Sequence, residues 1–90
     1  MSQPVCRMGD LCDHGSSAIE YSPNVFVNGK PVVRLGDAFQ PHTIGRSSHN
    51  PVVIQGSATV FVNGKPVARL GDALNCGAVI SEGSPSVFVG

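Results

Sequence analysis

The sequence carries no excess of charge. Six lysines and arginines balance six aspartates and glutamates, and charged residues are only 13% of the 90 positions. Binding to a duplex or an anionic membrane requires a basic patch, and stacking on single strands requires aromatics interleaved with basic residues. With only five aromatics and no basic run among them, nucleic acid and stable membrane insertion are excluded as expected partners. No apolar run approaches the roughly 20 residues of a membrane span. The N-terminus, MSQPVCRMGD, has neither a basic nor an apolar leader region, so synthesis in the cytoplasm without a signal peptide is expected. The three cysteines are an odd number in a reducing compartment, which disfavours a disulfide framework and favours metal binding or packing. No stretch has helical periodicity, and the fold class read from the sequence is all-β. Ninety residues make one domain, 1–90, whose hydrophobic burial alone is marginal, so a staple is expected. Its 41% hydrophobic content argues for a folded chain despite eleven glycines and seven prolines.

What the chain does have is repetition. PVCRMGD at 4–10 returns as PVVRLGD at 31–37 and PVARLGD at 66–72, while VFVNG at 25–29 and 60–64 returns truncated as VFVG at 87–90. Three copies of one unit follow. Asn-Gly tolerates the positive φ angles of a type I′ turn, so VFV-NG-KPV predicts a hairpin at the end of units one and two. Pro31 and Pro66 lack a backbone donor and belong at a strand start or sheet edge. Gly9, Gly36 and Gly71 mark turns, across which Arg7, Arg34 and Arg69 are placed to pair with the aspartates three residues on. Three strand-turn units that each leave an apolar face open bury those faces against one another, and the expected object is a short cone or three-sided β-prism.

Chemistry is confined to the unrepeated loops at 11–24, 38–59 and 73–86. His14 lies seven residues after Arg7 and Cys76 seven after Arg69, so they occupy one register position. Unit two has Pro41 there with His42 beside it, and its longer loop adds His49. Cys6 aligns with Val33 and Ala68, and Cys12 with Phe39 and Leu74, which reads both as buried hydrophobes. His14, His42, His49 and Cys76 form a set suited to tetrahedral Zn²⁺, with iron(II) the second choice. A zinc hydrolase is the rival reading, with Asp13 or Glu20 as a base, but four protein ligands leave no position open for water.

On the motifs Pro4-Val5-Cys6-Arg7, Pro31-Val32-Val33-Arg34 and Pro66-Val67-Ala68-Arg69, each followed after one residue by Gly-Asp, the chain resembles the PAAR-repeat proteins of type VI secretion systems. Valine replaces the first alanine in all three copies. The resemblance implies a cone stapled by zinc at its apex through His14, His42, His49 and Cys76, with a base seated on a trimeric VgrG spike, one chain per trimer. It further implies a non-enzymatic structural tip, links to effectors, export on the spike and passage across target membranes. A stand-alone repeat domain with no fused effector domain is the expectation.

Overall fold

The computed structural model describes residues 2–44 and 47–90, and for 42–44 and 47–49 it describes the backbone alone. Among the described residues all regular structure is strand. The expected hairpins form as β2 (Phe26–Val27) with β3 (Lys30–Pro31), and β6 (Phe61–Val62) with β7 (Lys65–Pro66). Their turns have φ of 56° at Asn28 and 75° at Gly29, and 53° at Asn63 and 76° at Gly64, the left-handed pair that a type I′ turn demands. A third ladder joins β1 (Gln3–Pro4) to β8 (Phe88–Val89), with Phe88 opposite Pro4 as Phe26 is opposite Pro31 and Phe61 opposite Pro66. The truncated VFVG therefore makes the third antiparallel pair with the first motif, across nearly the whole chain, and the ring of units is closed.

That closure is drawn tight by backbone hydrogen bonds. Cys6 donates to Ala68 at 2.9 Å, Ala68 to Val33 at 2.9 Å, and Val33 to Cys6 at 3.0 Å. Antiparallel bridges repeat the cycle as Val5 with Arg69, Arg7 with Val32, and Arg34 with Val67. A second cycle of bridges links the loops: Cys12 with Ile80, Ala18 with Phe39, and Val53 with Leu74. Side chains alternate along an extended segment, so each motif strand sends successive residues to opposite sides of the first ring. Cys6, Val33 and Ala68, all fully buried, join Cys12, Phe39, Leu74, Ala18, Val53 and Ile80 in one cluster. Val5, Val32 and Val67 face the other way, into a separate cluster with Val25, Val27, Val62 and Val89 of the VFV segments. Extents of 37 × 26 × 23 Å give the long axis of the expected short cone. The burial of Cys6 and Cys12 as core hydrophobes is as the register implied.

One element lies beyond what the sequence suggested. The long loop of unit two contains a further antiparallel pair, β4 (His42–Ile44) with β5 (Ser47–His49), in which His42 is directly opposite His49.

Candidate functional site at the two ends of the cone

The loop end is built from one turn used twice and a longer excursion in its place in unit two. Cys12 donates to the Ser16 carbonyl at 2.8 Å and Leu74 to the Ala78 carbonyl at 2.8 Å, each turn carrying a glycine of positive φ, Gly15 at 85° and Gly77 at 90°. His14 and Cys76 are the residues just before those glycines, so the two turns offer them from equivalent places. In unit two the same link runs from Phe39 to Pro51 at 2.9 Å, and the β4–β5 ladder rises from it with the His42–His49 pair at its foot. All four candidate ligands thus lie beyond the second ring of bridges. Cys76 is half-buried and packs on the core, while His14 is exposed with Nε2 4.0 Å from Asp13 Oδ1. Among the described residues no three His, Cys, Asp or Glu side chains converge on a common point; the side chains of His42 and His49 lie outside that description. Burial drives the Cys6 thiol well above its ordinary value, which removes Cys6 as a thiolate donor.

Each of the two carboxylates considered for a hydrolytic base accepts a backbone N–H. Asp13 Oδ1 accepts from Val79 N–H at 3.0 Å, and Glu20 Oε1 from Ala38 N–H at 2.9 Å. Glu20 is moreover one of three equivalents. Gln55 Oε1 accepts from Ala73 and Glu82 Oε1 from Leu11, each at 3.0 Å. A carboxylate or amide oxygen two residues before Ser22, Ser57 and Ser84 therefore ties every unit to the next.

Those serines are a second device that the sequence reading did not single out. Each is at most 2% exposed and turns the chain into its VFV segment. Ser22 Oγ accepts from Val25 N–H at 3.0 Å, Ser57 Oγ from Val60 at 2.9 Å, and Ser84 Oγ from Val87 at 2.8 Å. The hydroxyls then donate across to the next hairpin tip: Ser22 to Asn63 Oδ1 at 2.7 Å and Ser84 to Asn28 Oδ1 at 2.6 Å. Where the third tip has no asparagine, Ser57 donates to the Gly90 carbonyl. The motif arginines finish the frame. Arg34 meets Asp37 in a bidentate pair, Nε to Oδ2 at 2.9 Å and Nη2 to Oδ1 at 3.0 Å, and its Nη1 donates to Asn63 Oδ1 at 3.1 Å. Arg7–Asp10 and Arg69–Asp72 repeat the pair at 3.0 and 2.8 Å. Hydrogen bonding to the aspartate raises each guanidinium further above its ordinary range. These are the expected architectural pairs.

At the opposite end the frame supports an apolar well of about 180 Å³. Each unit contributes three valines: Val5, Val32 and Val67 form the floor, Val25, Val27, Val62 and Val89 pack on it as the inner wall, and the exposed Val60 and Val87 form the outer wall. Phe26, Phe61 and Phe88, between 51% and 57% exposed, alternate with these valines and face away from the well. Apolar side chains so repeated at an open end, over a buried floor, make a candidate binding surface.

A family model described as PAAR motif matches residues 9–82. No curated protein matches the sequence. The match begins two residues after Arg7, and the structure supplies the first motif by pairing Val5 and Arg7 into the ring with the other two. With three such motifs closed head to tail in an all-strand cone, the chain belongs to the PAAR-motif family, proteins associated with the spike tip of type VI secretion systems.

Proposed function

We propose that this chain caps a trimeric VgrG spike, one chain per trimer, by seating its valine-lined base on the end of the threefold axis. The observation that carries the reading is the threefold identity of the well, to which every unit gives the same three valines. A single chain with three equivalent faces matches a true trimer, each face meeting one subunit in the same way. The role is structural and non-enzymatic: Asp13 and Glu20 are held to backbone N–H groups. In this reading the chain also links effectors to the capped spike and leaves the cytoplasm on it.

At the apex His14, His42, His49 and Cys76 would hold Zn²⁺. The donor set fits the ion, with three imidazoles and one thiolate filling a tetrahedral site. Its support is positional: equivalent turns carry His14 and Cys76, and the third such place carries the opposed His42–His49 pair. Zinc held there would crosslink three loops, and its binding energy would become folding energy. The four residues' part is to enter as neutral imidazoles and a thiolate and to tie units one, two and three at the tip.

The test is co-elution with VgrG trimers from the same genome. Val62→Asp places a charge on the wall of the well and is expected to abolish co-elution while zinc content stays at one per chain. Substitutions in the 43–48 segment are expected to leave docking unchanged, and salt to matter little, because the chain has no net charge. Release by the 43–48 substitutions with docking retained in Val62→Asp would invert the orientation.

A further inference from the structure

The well is a concavity, and its size restricts what enters it. Resting on the reading that the base seats on a trimer, we infer that the partner projects a short apolar knob along its axis, made of one side chain of two to three carbons from each of its three subunits.

An apolar cavity of about 150 Å³ takes one benzene, or about 25 Å³ per carbon. The well, at about 180 Å³, therefore holds about seven carbons. The nine lining valines come three from each unit, so the axis of pseudo-symmetry runs through it, and a threefold partner must fill it with three equal portions. Seven carbons divided three ways leave two to three each: three alanines bring only three carbons and three valines nine, so valine is the nearest apolar match. Three leucines would bring twelve carbons and three phenylalanines more, and both overfill a wall built of β-branched side chains. A polar knob is excluded by the same surface, since valines offer no hydrogen-bond partner and an unpaired buried polar group is costly. The floor residues Val5, Val32 and Val67 are at most 2% exposed and sit directly on the hydrogen-bonded ring, so the well cannot deepen to admit a larger group. Specificity for one trimer over another follows from the length of three axial side chains, while the exposed Phe26, Phe61 and Phe88 lie outside that selection.

The experiment measures binding of the full chain to a VgrG trimer from the same genome, with the trimer's axial tip residues varied. Val27→Leu, Val62→Leu and Val89→Leu together add three carbons and occupy nearly half of the well. This variant is expected to keep its zinc and its fold and to bind about tenfold or more weakly, as overfilled sites do. Shortening the trimer's three axial residues to glycine is expected to restore it. Val60→Leu with Val87→Leu, at exposed positions on the outer wall, asks the same question with no demand on the core. Wild-type binding by both leucine variants, or no rescue from the shortened trimer, would overturn the knob. Rescue when only one subunit's residue is shortened would also overturn it, showing a single ring-sized group in place of three. Failure of the unaltered chain to bind any such trimer would overturn the docking reading beneath it instead.

Discussion

Asp37→Ala tests whether the repeated arginine–aspartate pair is architecture. Asp37 is 3% exposed and receives three donors from one residue: the Arg34 backbone N–H at 2.8 Å, Nε at 2.9 Å and Nη2 at 3.0 Å. A surface ion pair contributes about 0–1 kcal/mol, whereas breaking a buried one costs about 3–5 kcal/mol. Arg34 keeps Asn63 Oδ1 at 3.1 Å and the Tyr21 carbonyl at 3.3 Å, so its charge is not stranded, and the estimate falls at the low end, about 3 kcal/mol. Against the roughly 5–15 kcal/mol of a natural domain that is a large fraction. It corresponds to a fall in Tm of about 12–24 °C for a chain of this size. Asp37→Asn keeps one oxygen for the Arg34 N–H and should lose about half as much. The assay is urea unfolding of metal-saturated protein, in which the midpoint should drop without a change in slope. A loss of 1 kcal/mol or less in Asp37→Ala would refute the argument, because it would make the pair an ordinary surface contact.

Three further outcomes are expected. Burial raises the Cys6 pKa above its ordinary value of 9.0, so above about pH 9 the unfolded chain loses this proton first. Stability should then fall with rising pH, by up to about 1.4 kcal/mol per unit from this group; Cys6→Ala, which copies Ala68, should flatten that limb in denaturation series from pH 8 to 11, and an unchanged limb would contradict it. Gly83→Ala puts a Cβ 2.8 Å from that of Pro4 and 3.1 Å from the Val5 carbonyl, an overpacking expected to cost about 1–3 kcal/mol in thermal unfolding; a neutral result would mean β1 can move aside. Cys76→Ser should lower zinc affinity in a chelator competition while Cys6→Ser and Cys12→Ser do not, and equal loss in all three would show the ligand register to be wrong.

Much of this architecture could be read from spacing alone. The three Pro-Val-x-Arg motifs, the Asn-Gly turns and the alignment of Cys6 with Val33 and Ala68 depend on local chemistry repeated in register, and each appears where that register placed it. The serine anchors were legible too, as Ser-x-x-Val-Phe-Val at 22, 57 and 84, but Pro and Ala alternate at the next position and mask the repeat. Glu20, Gln55 and Glu82 differ in charge, so a reading by residue class separates them although each uses one oxygen in the same way. The closure of VFVG onto the first motif is a pairing across nearly the whole chain, and no local signal encodes it. Nor does TIGRSS carry an Asn-Gly pair to announce the β4–β5 ladder, whose register alone sets His42 opposite His49. The valine well needed the ring first, since each valine is ordinary until three units bring it to a common axis.

Native mass spectrometry of the chain mixed with a VgrG trimer from the same genome tests the central claim most directly. One end of the cone should dock on the threefold axis while the other end keeps its metal. The account predicts a single complex of three VgrG subunits, one copy of this chain and one zinc ion, with no larger species when the chain is in excess. Three copies of the chain per trimer would contradict it, because each subunit would then bind a separate chain and the pseudo-threefold base would not be the docking surface.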